Sequence, residues 1–226
     1  MKVMYVKLSD CSGCMISFLE ALMSNSNIEL IYCPNILDRR DIDEAEDADI
    51  GFVSGSVCAE FDEHMESLKK MREKCEKIVT VGSCACVGGI TRFCRGNQPP
   101  QPYHRTFLPI ADVVKVDYSI PGCPASAEIL KKFLNAYIAG NNKYLIPFKN
   151  LARKKRASGQ DLQDEIVAKG LCVGCGMCAL SCPVEAIEMI RGKPEVRMDK
   201  CIRCGTCYFR CPRNFLKLRK ENAEVI

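Results

Sequence analysis

The chain has 226 residues, which is enough for one medium-sized domain and one small domain. Its residues are 47% hydrophobic and 27% charged, as in ordinary soluble globular proteins, and no apolar run reaches the length of a membrane span. The formal net charge is +4, but the basic residues are scattered and no RNA-binding signature is present, so the charge does not indicate a nucleic-acid partner.

Cysteine content sets this chain apart, with 17 residues. The first residues, MKVMYVKL, have neither the apolar region of a signal peptide nor a twin-arginine leader, so the disulfides of a secreted protein are not expected. We therefore expect a cytoplasmic, reducing location, in which the thiolates are available to metal.

Residues 1–150 show alternating strand and helix patterns. Apolar runs of strand length predict strands at 2–8, 28–32, 50–53, 77–81 and 113–116. Apolar residues at helical spacing predict helices at 15–23, 62–75 and 125–139. This alternation is typical of an α/β, flavodoxin-like domain, in which helices cover both faces of a parallel sheet.

Four cysteines of this part each follow a predicted strand: Cys11, Cys14, Cys84 and Cys123. Ligands of open parallel sheets bind beyond the carboxyl ends of the strands, so we expect these thiols to converge there. Four thiolates suit either zinc or an iron-sulfur cluster. The cluster is favoured because the same chain carries iron-sulfur motifs near its C-terminus.

A polar, basic stretch, LARKKRASGQDLQD at 151–164, follows the first part. We interpret it as a linker rather than as a nucleic-acid arm. It would join the domain of residues 1–150 to a small α+β ferredoxin-like domain of residues 165–226.

Two cysteine runs dominate residues 165–226, CVGCGMCALSCP from Cys172 and CIRCGTCYFRCP from Cys201. Each has three cysteines spaced by two residues and then a fourth before proline, as in two-cluster ferredoxins. Structural zinc usually takes two separated pairs and does not need such a run. Because the fourth cysteine ligates the other cluster, the spacing assigns one cluster to Cys172, Cys175, Cys178 and Cys211, and the other to Cys201, Cys204, Cys207 and Cys182.

Three motifs of the first part, CSGC at 11–14, GSCACVGG at 82–89 and PGCP at 121–124, resemble the small subunit of nickel-iron hydrogenases. SGSVCAEFDEH at 54–64, TRFCRGNQ at 91–98 and the fused ferredoxin part are more similar to the gamma subunits of coenzyme F-420-reducing hydrogenases of methanogenic archaea. The resemblance implies that Cys11, Cys14, Cys84 and Cys123 hold a proximal cluster beside the nickel-iron site of a large (alpha) subunit.

The resemblance also implies the rest of the assembly. A beta subunit with FAD would take electrons from this chain and reduce coenzyme F-420, within a hetero-oligomer. This chain would then carry three 4Fe-4S clusters, neither nickel nor flavin, and no catalytic residue of its own.

Nearby acidic residues leave one ligand open, because a carboxylate can replace a thiolate on iron. Asp62 or Glu60 is the candidate substitute in the first site. We expect the remaining cysteines to be small buried residues and both histidines, His64 and His104, to be surface or hydrogen-bonded residues. The cysteines concerned are Cys33, Cys58, Cys75, Cys86 and Cys94.

Other functions stay open at this point. One is a small subunit with another acceptor, such as a heterodisulfide reductase, NAD or a sulfur compound. Another is the quinone-linked respiratory module, whose equivalent subunit usually has adjacent cysteines at the first motif, whereas Cys11 and Cys14 are separated by two residues. A third is a scaffold in which only the ferredoxin part carries electrons.

Overall fold

The computed structural model describes residues 1–38, 40–88, 107–153, 158–201 and 205–213. The strands are β1 (Lys2–Lys7), β2 (Glu29–Tyr32), β3 (Ala48–Ser54), β4 (Val57–Cys58), β5 (Cys75–Val81), β6 (Phe107–Leu108), β7 (Tyr118–Ile120), β8 (Ile187–Ile190) and β9 (Lys193–Val196). The helices are α1 (Gly13–Met23), α2 (Asp62–Lys74), α3 (Gly82–Val87), α4 (Ala127–Ile138), α5 (Asn142–Arg153), α6 (Gly159–Leu162), α7 (Met177–Leu180) and α8 (Thr206–Arg210).

Five strands form one parallel sheet in the order β2-β1-β3-β5-β7. This is the flavodoxin-like order, in which the chain direction across the sheet reverses between β1 and β3. The fold class predicted from the alternation of strands and helices is confirmed. Loops that follow β1, β5 and β7 therefore leave the same edge of the sheet.

Both faces of the sheet are covered, which explains why its strands are apolar runs. On one face, Tyr5 and Phe52 pack with Phe18 of α1 and with residues of α4 and α5. On the other face, Met4 and Val53 pack with residues of α2. Neighbouring residues of one strand thus enter different cores, as the period of a strand requires.

The prediction of a fifth strand at 113–116 is wrong. A 3-10 turn occupies Ile110–Asp112, and the strand lies at Tyr118–Ile120, paired with Val79–Val81 of β5. Val113, Val114 and Val116 are apolar because they pack against the core on the α2 side of the sheet. Helices α3 and α5 were not predicted, and β6 pairs with β4 beside the main sheet.

The C-terminal part is built from a hairpin and short helices. Strands β8 and β9 pair antiparallel around Arg191 and Gly192, both with positive φ, which is the geometry of a tight hairpin turn. The core of this C-terminal part also includes Cys86 and Val87 from α3 and Leu151 from α5. Apolar packing therefore joins the sheet part to the ferredoxin part.

The predicted linker contains ordered structure where it is described. Residues Leu151 and Leu162 are buried in that shared core, and Ser158 caps α6 by accepting a hydrogen bond from Gln160 N at 3.2 Å. The domain boundaries remain a prediction.

Within the described ranges, none of the helices combines the length and hydropathy needed to cross a lipid bilayer.

Candidate metal centres

The loops at the carboxyl edge of the sheet bring four cysteines together. Strand β1 leads into the loop with Cys11 and Cys14, β5 runs directly into α3 with Cys84, and β7 leads to Cys123. We call these four residues the first site. Gly82, at φ 85°, supports their convergence, because a side chain there would overlap Cys14 Sγ.

Electrostatic coupling shows that the four thiols are neighbours. Burial, followed by negative charge on Cys123, Cys14, Asp10 and Cys11, raises the pKa of Cys84 to about 12. Burial likewise raises the pKa of Cys14 to about 11, against a hydrogen bond from the Ala125 backbone. Four thiolates here would repel one another, so a bound cationic centre would offset both their repulsion and their burial.

Asp10 belongs to this site and was missed from the sequence. Its side chain is 4% exposed, and its Oδ1 accepts a hydrogen bond from Ser12 N at 2.8 Å, while Oδ2 is buried with no hydrogen-bond partner. Its position directly before Cys11, beyond the end of β1, is the sequence feature that could have predicted Asp10 as a member of the site. Glu60 and Asp62 are exposed at the start of α2, and their role as substitute ligands remains a prediction.

The other described cysteines of the sheet part lie in the protein core. Cys33, Cys58, Cys75 and Cys86 are buried. Cys86 Sγ lies 3.4 Å from Thr80 Oγ1, which in turn lies 2.7 Å from Ser119 Oγ. His64 Nδ1 accepts a hydrogen bond from Cys58 N at 3.1 Å. Cys94 and His104 lie outside the described residues.

In the ferredoxin part, one cavity collects the first cysteine run and a distant residue. It is lined by Cys172, Cys175, Cys178 and Cys211, a set that we call the Cys172 site. Gly174, at φ 71°, allows the tight loop, and its N–H donates to Cys172 Sγ at 3.5 Å. A Cβ on Gly174 would stand 2.6 Å from Gly192 O, so only glycine fits there.

A second cavity is lined by Cys182, Cys201 and Cys207, which we call the Cys182 site. Ala186 N–H donates to Cys182 Sγ at 3.2 Å. The fourth predicted member, Cys204, lies outside the described residues. The cysteine that ends each run thus lines the cavity of the other run, in the crossed grouping expected from the spacing.

These arrangements fit iron-sulfur cubes. Both ferredoxin sets place thiols around a cavity, and the amides of Gly174 and Ala186 already donate to thiol sulfurs, as amides do to cluster ligands. Among the described residues, no three histidine, cysteine or acidic side chains converge closely enough to hold one metal ion. The ligand assignments themselves remain predictions.

Two family models match the chain. The NADH ubiquinone oxidoreductase 20 Kd subunit model matches residues 11–137, which contain the whole first site. The 4Fe-4S dicluster domain model matches residues 171–216, which contain both cysteine runs. Each model therefore covers one of the two parts that the fold contains.

Relatives match over nearly the whole chain. It is 44% identical to coenzyme F420 hydrogenase subunit gamma of Methanosarcina barkeri (strain Fusaro / DSM 804), over 96% of this chain and 89% of the relative. It is 38% identical to coenzyme F420 hydrogenase subunit gamma of Methanococcus voltae, over 85% of this chain and 87% of that relative.

The fold also matches a solved structure. A chain of the [NiFeSe] hydrogenase from Desulfovibrio vulgaris Hildenborough superimposes with a TM-score of 0.51, covering 94% of this chain and 95% of that one. At 14% identity this is a likeness of fold alone. The family models and the two gamma subunits carry the assignment: the chain belongs to the family of coenzyme F420 hydrogenase gamma subunits.

Proposed function

We propose that this chain is the electron-transferring small subunit of a coenzyme F420-reducing nickel-iron hydrogenase complex. Three 4Fe-4S clusters would connect hydrogen oxidation in the large subunit to an FAD-containing subunit that reduces coenzyme F420. The observation that carries this proposal is the presence of three separate sets of cysteines, at the first site, the Cys172 site and the Cys182 site, in two parts of the chain that share apolar packing.

When bound, such clusters accept and release single electrons. The chain's own residues hold and tune them. The thiols of the first site provide up to four ligands, and the Gly174 and Ala186 amides stabilise reduced states by donating to sulfur. Buried side chains such as Ile187 and Tyr208 exclude water from the ferredoxin part.

The surface of the first site supports a partner there. Cys11 and Cys123 are exposed, and Ile16 on the adjoining helix α1 is 64% exposed. Exposed apolar side chains beside an exposed ligand are typical of a surface that another subunit covers. This supports contact between the first site and the large subunit.

The test begins with anaerobic purification of the complex. We expect about twelve irons per copy of this chain, from three four-iron clusters, and little zinc. We also expect hydrogen-dependent reduction of coenzyme F420, with nickel in the large subunit and FAD in a third subunit. About eight irons would restrict electron transfer to the ferredoxin part and support a scaffold role for the sheet part.

A variant separates this function from the alternatives. Cys14→Ser should remove the first cluster and electron entry while leaving both ferredoxin clusters. Full hydrogen-dependent reduction in that variant would overturn the role of the first site. If the complex reduced NAD, quinone or a heterodisulfide but not coenzyme F420, the proposed acceptor would be wrong.

A further inference from the structure

The segment that joins the two parts of the chain lies against both ferredoxin sites. Helix α6 continues directly into a π-helical turn, Gln163–Val167, and we call residues Ser158–Val167 the cover segment. Gly159 lines the cavity of the Cys182 site, whereas Leu162 and Ile166 line the cavity of the Cys172 site. The stretch whose polar composition predicted a linker therefore supplies part of the wall of both cavities.

Burial distinguishes the two sides of the cover segment. Leu162 and Ile166 are each 1% exposed, and Gly159 is also buried. Gln160 and Asp164 are exposed, and Gln160 Nε2 donates to Asp164 Oδ1 at 2.9 Å on the outer side. The cover segment is thus amphipathic, with its buried side turned toward the cysteine sites.

Two contacts hold the cover segment against the β8–β9 hairpin. A Cβ on Gly159 would stand 2.4 Å from Val196 Cγ1, so the backbone of α6 approaches β9 too closely for a larger residue. Further along, Gln163 Nε2 donates to Pro194 O at 2.6 Å. Val196 lines the cavity of the Cys182 site and Pro194 lines that of the Cys172 site, so the hairpin and the cover segment meet beside both sites.

A third contact joins the cover segment to α8. Tyr208 Oη donates a hydrogen bond to Glu165 Oε2 in the π-helical turn. Tyr208 is 2% exposed and lies in α8 between Cys207 of the Cys182 site and Cys211 of the Cys172 site. Because the acceptor is a carboxylate, this hydrogen bond is charge-assisted and stronger than a neutral one. It ties the cover segment to the short helix that lies between the two sets of cysteines.

We propose that the cover segment is a solvent shield shared by both ferredoxin clusters, and that Glu165 and Tyr208 are the positioning residues that hold it in place. Water beside a cluster stabilises its more negative, reduced state, so a wall that excludes water keeps the midpoint potential low. The same wall slows the access of small reagents to iron. This inference deepens the proposed function and rests on it, because it concerns the two ferredoxin clusters.

The first test removes one hydroxyl group. Tyr208→Phe keeps the buried ring but loses the donor to Glu165, and losing a hydrogen bond to a charged group shifts an opening equilibrium about tenfold. In the complete complex reduced with dithionite, we expect an iron chelator to remove both ferredoxin electron paramagnetic resonance signals faster by about that factor. The first-site signal should decay at the parental rate. Equal decay of the ferredoxin signals in Tyr208→Phe and in the parent would overturn the role of Tyr208.

A matched control changes the neighbouring carboxylate. Asp164 is exposed and its side chain contacts Gln160 on the outer side of the cover segment, so Asp164→Asn should leave the rate of iron loss at the parental level. Glu165→Gln keeps an acceptor for Tyr208 and should fall between the parent and Tyr208→Phe. If Asp164→Asn accelerated iron loss as much as Tyr208→Phe, the contact with α8 would not be the cause.

A second readout separates solvent exclusion from a general loosening of the fold. In D₂O, pulsed electron paramagnetic resonance detects exchangeable deuterons near a reduced cluster. Tyr208→Phe should add deuterium modulation to both ferredoxin signals and raise their midpoint potentials, while the first-site signal stays unchanged. Faster iron loss without added modulation would overturn the shield.

A compensating pair tests the contact with the hairpin. Gly159→Ala places a methyl group against Val196 and should displace α6 from β9, which adds deuterium modulation chiefly to the signal of the Cys182 site. Adding Val196→Ala removes the colliding methyl groups and should restore the parental modulation. If the double variant stayed as accessible as Gly159→Ala, the contact with β9 would not hold the cover segment.

The design also distinguishes failure of the shield from failure of the proposed function. Dithionite supplies the electrons, so the measurements require neither hydrogen nor coenzyme F420. A parental complex without ferredoxin signals would overturn the proposed function. Parental signals that respond equally in all variants would overturn the shield alone.

Discussion

The first site and the two ferredoxin sites gather their cysteines in different ways. The first site takes Cys11, Cys84 and Cys123 from segments that are far apart in sequence and that a five-stranded sheet brings to one edge. Each ferredoxin site takes most of its cysteines from one short run and a single cysteine from the other run. The first site therefore depends on the global fold, whereas the ferredoxin sites depend on local turns and one crossing.

This difference has a chemical consequence. Burial raises the pKa of Cys14 and Cys84 to about 11 and about 12, so these thiols are protonated at neutral pH before metal enters. Assembly of the first cluster must release those protons from partly buried thiols. Changes at the first site should consequently affect cluster assembly more than matched changes elsewhere.

The largest expected effect comes from a pair of variants in α3. Cys84→Ser should remove the first cluster, lowering iron by about four atoms per chain, and should abolish hydrogen-dependent reduction of the acceptor. Cys86→Ser is the matched control, because this buried residue contacts Thr80 and a serine hydroxyl can keep that contact. Iron analysis and activity of the purified complex would check both. Equal iron loss in the two variants would show that α3 matters for folding alone.

A reciprocal pair tests the crossed ferredoxin sites. Cys211→Ser should alter the cluster at the Cys172 site, and Cys182→Ser should alter the cluster at the Cys182 site, because each cysteine lines the cavity of the opposite run. Electron paramagnetic resonance of each reduced variant should show one changed ferredoxin signal and one preserved signal. Damage confined to the cluster of the same run would mean that the pairing is not crossed.

A pair of glycine variants compares how closely atoms pack around the backbone at the first site and in the ferredoxin part. Gly82 has a φ of 85°, and the Cβ that Gly82→Ala introduces would overlap Cys14 Sγ. We expect this variant to lose about 2–6 kcal/mol of folding stability and also to lose the first cluster. Gly176→Ala has a similar φ of 74° but nothing within 4 Å of the added atom, so only backbone strain of about 1–2 kcal/mol is expected. Thermal unfolding and iron content would measure the contrast. Similar losses in both variants would contradict the close packing inferred at Gly82.

The smallest expected effect concerns a buried thiol outside the sites. Burial raises the pKa of Cys75 from 9.0 to about 12. The folded chain holds this proton more tightly than the unfolded chain, so the resulting stabilisation is complete below about pH 9 and is lost as the pH rises toward about 12. Urea unfolding between pH 8 and 10.5 should show a shallower decline for Cys75→Ala than for the parent. If folding stability declined equally in both proteins, the Cys75 thiol would not be the cause of the decline.

Much of the fold was predictable because its signals are local. Strands β1, β2, β3 and β5 and helices α1 and α2 follow from apolar runs and helical spacing, and the ferredoxin motif follows from cysteine spacing that a short loop can satisfy. The fifth strand was misplaced because Val113, Val114 and Val116 are apolar for packing with the core, and apolarity alone does not distinguish the two roles. Helix α5 escaped prediction because it contains Pro147, a residue that ordinarily interrupts helices.

The sequence by itself determined the cysteine motifs and the class of fold, since these depend on residue type and short-range spacing, and the crossing of the ferredoxin ligands remains a prediction from the same spacing. Only the tertiary structure placed buried Asp10 among the thiols of the first site. It alone also joined Ser83 to Thr206 and Pro124 to Arg210, across separations of 123 and 86 residues. Such contacts leave no periodic signal, because they arise where two separately patterned parts pack against each other.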